Sequence, residues 1–189
     1  MKEIVFVTSN SGKIASAQKE LNNIKVLPYN AELIEPRSED IREIARDKVI
    51  QAYGLVKKPC IALDSGFFIK SLNGFPNTFV NHALNTIGLE GILKLMDGLE
   101  NRECEFKTCL AYYDGEHMEF FESKAPGTIA EGILGRNNEN KWSDLWYIFK
   151  PLNFNKTLAQ FNEEDFILYN SLKEPTCIEK FGAWYEKLI

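Results

Sequence analysis

Residues 1–21 read MKEIVFVTSNSGKIASAQKEL, and the pattern of this short stretch changes twice. Residues 4–7 are β-branched or aromatic, a composition that predicts a buried β-strand. Residues 8–12 are small and polar and end in glycine, which is typical of a turn and a helix cap. The residues that follow place Ala17 and Leu21 on one helical face. The stretch therefore predicts a strand, a polar loop and the start of a helix.

This junction has the features of a phosphate-binding site. The first backbone N–H groups of a helix lack intrahelical partners and favour an anion, and Lys13 adds a positive charge. The junction is not a P-loop of the form G-x-x-x-x-G-K-[ST], because the first glycine and the final Ser/Thr are absent. From these residues alone, an ordinary capped turn with a surface lysine is the alternative.

Composition and charge favour a globular protein and argue against a protein that binds duplex nucleic acid or spans a membrane. The chain has 189 residues, 44% of them hydrophobic, so we expect one globular domain over residues 1–189 with room for two lobes. The net charge of −5 offers no basic surface for duplex nucleic acid. No apolar run reaches membrane-spanning length, and the charged Lys2-Glu3 start does not match a signal peptide. Four cysteines without C-x-x-C spacing indicate reduced thiols and a cytoplasmic protein.

Strand and helix patterns continue along the chain without strict βαβ order. An amphipathic helix is predicted over residues 39–56 with Ser38 as its cap, and a buried strand over residues 60–63 that ends at Asp64. Further strands are predicted at 25–29, 103–113, 118–124, 128–134 and 147–149, and further helices at 78–96 and 174–188. This mixture predicts an α/β fold with a mixed β-sheet and flanking helices.

Three charged side chains stand out against these predicted elements. Asp64 follows a buried strand, where a carboxylate can accept a proton from water or hold a divalent cation; an Asx-turn that closes the strand is the alternative. Glu35, in the loop before the long helix, is either a second hard oxygen ligand or a solvated loop carboxylate. Lys48 interrupts the apolar stripe of that helix. Taken alone, this position is explained by a lysine whose alkyl stem packs on the helix while its ammonium stays in solvent.

Three segments occur in the order and spacing of a known family. They are TSNSGK at residues 8–13, EPRSEDIREIARDKVIQAY at residues 35–53 and ALDSGFFIKSLNGFP at residues 62–76. Together they resemble the Ham-type inosine/xanthosine triphosphate pyrophosphatases, or ITPases. The resemblance covers residues 3–96 well, and it continues more weakly in CEFKTCLAYYDG, GTIAEGIL and KTLAQF.

The resemblance implies a fold, a reaction and a set of site residues. It implies an elongated α/β fold with two lobes around a nucleotide cleft, commonly as a homodimer. It also implies Mg²⁺-dependent hydrolysis of a nucleoside triphosphate to monophosphate and pyrophosphate. Matched by position, the resemblance implies that phosphates are bound by Thr8, Asn10, Lys13 and Lys48. It implies that Glu35 and Asp64 bind the metal and that Asp64 also activates the attacking water. It further implies that Ser65 contacts the substrate. Asp64, Lys13 and Lys48 are therefore the candidate catalytic residues.

The sequence departs from this family at one position beside Asp64 and, more extensively, in the half that holds the base. Leu63 stands where the family often has a second acid, directly before Asp64. The aromatic-Gly-aromatic-Asp-Pro loop of the family is replaced by NKWSDLWYIF at residues 140–149, and its Ser-His-Arg signature by ILYNSL at residues 167–172. The resemblance is therefore strong for phosphate binding and weak for base recognition.

Aromatic side chains in the replaced loop still offer flat surfaces for a base. Trp142, Trp146 and Tyr147 could stack on it, with Trp146 as the candidate substrate contact, or they could pack in a core. Asp144 is either a hydrogen-bond acceptor for the base or a solvated turn residue. We therefore expect a nucleoside triphosphate pyrophosphatase with an altered or relaxed base preference. The alternatives are a nucleotide-binding regulator that has lost turnover and a plain interaction protein.

Overall fold

The computed structural model describes residues 2–137 and 141–188. Over these residues the strands are β1 (Lys2–Val7), β2 (Ile24–Tyr29), β3 (Cys60–Ile69), β4 (Pro76–Asn77), β5 (Glu103–Tyr113), β6 (Met118–Ile129) and β7 (Phe149–Pro151). The α-helices are α1 (Ser11–Glu20), α2 (Ile41–Val56), α3 (Val80–Thr86), α4 (Gly88–Leu95), α5 (Glu163–Leu172) and α6 (Cys177–Tyr185).

The seven strands of the described residues form one mixed sheet, which confirms the predicted α/β class. Their order is β2-β1-β3-β5-β6-β7, with β4 paired to β3. β1 runs parallel to β2 and β3, whereas β4 is antiparallel to β3 and β7 is antiparallel to β6. Pro28 lies in β2 opposite Phe6, and an edge strand tolerates a residue that lacks a backbone N–H.

Side-chain caps set the starts of the first two helices. Asn10 caps α1, because its side-chain oxygen accepts a hydrogen bond from the backbone N–H of Lys13 at 3.0 Å. Asp40 caps α2 by accepting from the first N–H groups of that helix, and its negative charge also suits the helix dipole. The prediction of Ser38 as the cap was wrong. Its hydroxyl instead accepts a hydrogen bond from the backbone N–H of Asp40 at 3.0 Å.

The predicted end of β3 at Asp64 was wrong. The strand continues to Ile69, and the side chains of Phe67 and Ile69 are fully buried. Apolar residues beyond the Asp64-Ser65-Gly66 segment therefore keep the chain in the sheet, although this segment has the composition of a turn.

Element boundaries in the second half of the chain also differ from the prediction. β6 continues to Ile129, so the separate strand predicted at 128–134 was wrong. Gly127 permits this continuation, because a Cβ at this position would lie 2.2 Å from the carbonyl oxygen of Lys150 on β7. The strand predicted at 147–149 is replaced by a 3-10 helix over Asp144–Tyr147, and β7 follows it. The sequence analysis missed α5, which buries none of its residues fully and so lacks a clear apolar stripe.

The described residues fall into two compact units. Unit 1 comprises the described residues of Met1–Ser65, Thr108–Ser123 and Pro175–Ile189, and unit 2 comprises those of Gly66–Lys107 and Lys124–Glu174. The core of unit 2 is rich in aromatic rings, with Phe67 and Phe149 both packed against Phe106.

Unit 1 has an apolar cluster on each face of its strands. On one face, Ala17 of α1 and Leu21, which directly follows that helix, pack together with Leu63 of β3. On the other face, α2 contributes Val49 and packs together with Ala62 of β3. We call these the α1 face and the α2 face. Since successive side chains of a strand point to opposite faces, β3 presents alternate residues to each helix.

Two remaining predictions concern cysteines and membranes. The four cysteines of the chain are free and buried. Among residues 2–137 and 141–188, none of the helices has the length and apolar character that a membrane crossing requires.

Candidate active site

The loop between β1 and α1 is held by its own side chains. The hydroxyl of Thr8 accepts a hydrogen bond from the backbone N–H of Asn10 at 3.1 Å. Asn10 in turn caps the helix through the N–H of Lys13. These bonds fix the first turn of α1, whose leading N–H groups lack carbonyl partners within the helix. The local capping expected from the sequence is present, and it leaves the helix N-terminus suited to an anion.

Lys13 does not extend into solvent as a surface lysine would. Its side chain is half-buried, and its ammonium donates a hydrogen bond to the backbone carbonyl oxygen of Leu63 at 3.3 Å. Burial and the nearby charge of Lys48 together lower the pKa of Lys13 to about 8, although Asp64 and Glu35 act to raise it. Lys13 is therefore protonated at neutral pH, in surroundings where a phosphate oxygen would stabilise its charge.

Lys48 bridges the two candidate carboxylates. Its ammonium donates to Glu35 Oε1 at 2.8 Å and to Asp64 Oδ1 at 3.0 Å, and its side chain is only 12% exposed. Burial opposes the charge on this ammonium, but the two carboxylates outweigh that effect and raise the pKa of Lys48. The explanation of Lys48 as a packed stem with a solvated ammonium was therefore wrong.

Asp64 lies within β3, with its side chain 6% exposed. Burial raises its pKa, although Lys48 and Lys13 both act to lower it. The alternative of an Asx-turn was wrong, because the carboxylate bonds to Lys48 in the middle of a strand. Glu35 differs from Asp64, since its side chain is 46% exposed in the loop before α2.

The parallel pairing of β1 and β3 explains why Asp64 is accessible to a ligand although it lies within a strand. Phe6 pairs with Ile61, so Val7, the last residue of β1, lies level with Ala62. Asp64 therefore stands two residues beyond the carboxyl end of the neighbouring strand. In α/β sheets, ligands bind in the crevice outside such carboxyl ends.

Strand alternation assigns the side chains at this edge to the two faces of the sheet. Asp64 lies two residues after Ala62 and shares the α2 face, which is the side from which Lys48 reaches it. Ser65 alternates to the α1 face, where its Oγ is buried and has no hydrogen-bond partner among the described residues. An unpaired buried hydroxyl is costly, so Ser65 is a donor suited to a bound ligand.

Glu35 and Asp64 form a donor set that fits a magnesium ion. Each directs a carboxylate oxygen at one shared cation, here the ammonium of Lys48. Mg²⁺ is commonly held by one or two carboxylates together with substrate phosphates, and it keeps several waters. A cluster of three or more His, Cys, Asp or Glu side chains is absent from the described part of the chain, so further ligands would come from substrate and water.

Trp146 belongs to unit 2 and is 7% exposed. Its ring packs at 6.2 Å from the rings of both Trp142 and Phe166, and its Nε1 is buried without a partner among the described residues. Trp146 is thus part of a core, and a contact with substrate stays a prediction. Trp142 and Tyr147 are only partly buried against the same core.

Asp144, two residues before Trp146 in the replaced loop, is much more exposed. Asp144 is 59% exposed and forms an ion pair with Lys141, whose ammonium also lies 4.5 Å from the ring centre of Tyr147. Asn140, the first residue of this loop, lies outside the described residues. The structure brings seven of the eight predicted site residues into unit 1: Thr8, Asn10, Lys13, Glu35, Lys48, Asp64 and Ser65.

One residue beside this site was missed by the sequence analysis. Gln51 follows Lys48 by three positions on α2, and its side-chain amide bonds both backbone polar groups of Ile34. The only signal in the sequence was this helical spacing, which places Gln51 and Lys48 on neighbouring parts of one surface.

In α/β proteins, ligands bind outside the carboxyl ends of the strands, and phosphates bind at helix N-termini. Both features meet at this site beside Lys13 and Lys48, so the fold and site define a class of α/β proteins suited to phosphorylated ligands. Comparison with known sequences agrees with this class. A sequence model of the Ham1 family matches residues 4–167, and the chain belongs to the Ham1 family.

Curated relatives match most of this chain. A "dITP/XTP pyrophosphatase" of Korarchaeum cryptofilum is 34% identical over 162 residues, covering 85% of each chain. The protein of the same name from Saccharolobus solfataricus is 34% identical over 165 residues, covering 86% of this chain and 84% of its own. A third, from Methanopyrus kandleri, is 33% identical over 187 residues, with 97% and 96% covered.

Solved structures share the fold. A HAM1 protein from Coxiella burnetii superposes with a TM-score of 0.82 at 20% identity and covers 100% of both chains. The Ham1 protein of Staphylococcus aureus gives a TM-score of 0.77 at 23% identity, with 98% of both chains covered. The mixed α/β architecture is therefore that of other Ham1 proteins.

Proposed function

We propose that this protein is a nucleoside triphosphate pyrophosphatase that hydrolyses non-canonical purine nucleotides to monophosphate and pyrophosphate. The observation that carries the proposal is the bridge from Lys48 to Glu35 and Asp64, with Lys13 bonded one residue away at Leu63. The names of the curated relatives supply the substrate class, deoxyinosine and xanthosine triphosphates. Family membership and this geometry together support the proposal more strongly than they support a regulator without turnover.

The charges at the site suit a triphosphate. Lys13 and the N-terminus of α1 are cationic and bind phosphate oxygens from the α1 face. Lys48 would exchange its carboxylate partners for a phosphate oxygen of the substrate. A metal ion held by Glu35 and Asp64 would supply the positive charge that those carboxylates then require. Thr8 and Asn10 hold the loop that presents the helix N-terminus, and the hydroxyl of Ser65 has a free bonding capacity for the substrate.

Asp64 is the general base in this proposal. A water molecule attacks the α-phosphorus and its proton passes to an oxygen of Asp64. The bond from the α-phosphorus to the oxygen that bridges the α- and β-phosphates breaks, and pyrophosphate leaves with the bonding electron pair. A carboxylate whose pKa is raised by burial accepts this proton more readily than an ordinary one. When Mg²⁺ is bound by Glu35 and Asp64, it supplies positive charge to the phosphate oxygens and makes its bound water more acidic.

The products separate this reaction from other phosphohydrolase reactions. The purified protein is incubated with inosine triphosphate and MgCl₂, and the products are separated by ion-exchange chromatography. Inosine monophosphate with pyrophosphate supports the proposal, whereas inosine diphosphate with inorganic phosphate refutes cleavage between the α- and β-phosphates. A protein that is stabilised by nucleotide in a thermal shift but releases no product would be the regulator.

Base preference is the finer part of the proposal. The replaced segments at 140–149 and 167–172 lack the family's base-reading groups. Stacking on a flat apolar surface tolerates such losses better than recognition of the base edge, which depends on paired polar groups. We therefore expect measurable hydrolysis of several bases, with the inosine and xanthosine forms as the first substrates to test.

The proposal also includes a homodimer that acts on free nucleotides in the cytoplasm. Size-exclusion chromatography with light scattering measures the mass of the particle in solution. A mass of about twice the 21.6 kDa of the chain supports the dimer, and a single-chain mass at assay concentration contradicts it.

A further inference from the structure

Gln51 makes a paired contact with the loop that carries Glu35. Its Oε1 accepts a hydrogen bond from the backbone N–H of Ile34 at 2.9 Å, and its Nε2 donates to the backbone carbonyl oxygen of Ile34 at 2.8 Å. The same Nε2 also donates to the backbone carbonyl oxygen of Asp47 at 3.3 Å. Because a side-chain amide has one donating end and one accepting end, the Asp47 contact sets the orientation that suits Ile34.

The loop packs through Leu33, which is partly buried against the α2-face cluster, but this packing does not bond the backbone polar groups of Ile34. Residues 30–40 form neither helix nor strand, so Ile34 has no ladder hydrogen bonds. Its side chain is 79% exposed and cannot anchor the chain by packing. Gln51 therefore supplies to Ile34 the two bonds that a neighbouring strand would supply in a sheet.

The next residue after Ile34 is Glu35. Its carboxylate reaches Lys48 at 2.8 Å, and Lys48 and Gln51 lie three residues apart on α2. One helix thus binds the side chain of Glu35 and the backbone immediately before it. A slip of the loop by one residue would break both contacts together.

We propose that Gln51 is a positioning residue that holds the backbone at Ile34 so that Glu35 shares a metal position with Asp64. This inference rests on the proposed function. Gln51 touches neither substrate nor metal, and it acts only through the placement of Glu35. Loss of its amide removes the two hydrogen bonds that hold the backbone directly before Glu35, so the carboxylate of Glu35 would occupy its metal-binding position for less of the time.

The test measures metal binding without turnover. Mn²⁺ alone is titrated into the metal-free protein, and free Mn²⁺ is measured by electron paramagnetic resonance. Removing residues that orient metal ligands commonly costs about 10–100-fold in affinity, so we expect Gln51→Ala to raise the Mn²⁺ Kd by about tenfold. Gln18→Ala is the matched control, because Gln18 is an exposed glutamine on α1 that is remote in sequence from this loop.

A double-mutant cycle separates positioning from general loss of structure. If Gln51 acts through Glu35, the effect of Gln51→Ala on the Mn²⁺ Kd disappears in the Glu35→Gln background. Gln51→Asn, whose shorter amide cannot reach both groups of Ile34, provides a second variant that keeps the polar character of the site. The proposal is overturned if Glu35→Gln weakens Mn²⁺ binding and both Gln51 variants bind Mn²⁺ as the unsubstituted protein does.

It is equally overturned if the Gln51→Ala effect persists in full in the Glu35→Gln background. Failure of the proposed function is a separate result. In that case the unsubstituted protein releases no pyrophosphate from any nucleoside triphosphate, whatever the Mn²⁺ titrations show.

Discussion

Replacement of Lys48 by methionine tests the central ion-pair arrangement. The substitution keeps the length of the side chain and removes the ammonium that lies 3.0 Å from Asp64 and 2.8 Å from Glu35. At 3.0 Å and an effective dielectric constant of about 20, the attraction to Asp64 alone is about 5 kcal/mol. The net loss of stability is smaller than this attraction, because the ammonium no longer has to be desolvated and the methionine packs well.

The expected net effect is a loss of about 3 kcal/mol in the free energy of unfolding at neutral pH, the lower end of the range for breaking a buried pair. We expect a destabilisation at the lower end of this range because Glu35 is about half exposed and water screens its charge. Urea unfolding of the Lys48→Met, Asp64→Asn and double variants gives the coupling energy directly. A loss below about 1 kcal/mol, or additive single effects, would refute the argument from a buried charge pair.

The pH dependence of this loss has a definite sign. In Lys48→Met, Asp64 loses a cation that acts to lower its pKa, so its folded-state pKa rises further above the unfolded value of about 3.9. Between these two values the folded protein binds a proton that the unfolded chain does not, so stability falls as pH rises. The deficit relative to the unsubstituted protein should therefore shrink as the pH falls from about 7 towards about 4. A deficit that does not change over this range would contradict the role assigned to Asp64.

Three further predictions concern activity. Asp64→Asn should lower kcat by about 10²–10⁴-fold in a folded protein, because an amide cannot accept the water proton; near-normal kcat would remove Asp64 from its role. Since burial lowers the pKa of Lys13 to about 8, the KM for triphosphate should rise as pH increases through that value and the ammonium loses its charge. Lys13→Arg, which stays protonated, should lack this alkaline rise, and an identical rise in both proteins would assign it to another group. Values of kcat/KM across inosine, xanthosine, adenosine, guanosine, uridine and cytidine triphosphates should show a relaxed preference, which exclusive use of inosine and xanthosine forms would disprove.

The local elements of unit 1 could be predicted from the sequence. The β-branched run before Thr8 and the caps after it give β1 and α1 almost as the structure has them, and the apolar stripe of α2 was clear. These features depend on residues that are close together in the chain, where periodicity and capping act. The spacing of the three family motifs also singled out Lys13, Lys48 and Asp64 before their positions were known.

Tertiary structure decided how these residues are used. Lys48 lies 13 residues from Glu35 and 16 from Asp64, and Lys13 lies 50 from Leu63, so no local pattern predicts that they meet. The end of β1 next to a longer β3 makes Asp64 accessible to these partners, although the sequence around Asp64 has the composition of a turn. Burial then changes the chemistry, since it lowers the pKa of Lys13 and raises that of Asp64. Residue types are a property of the sequence, but desolvation and distances between charges exist only once the strands and helices have packed.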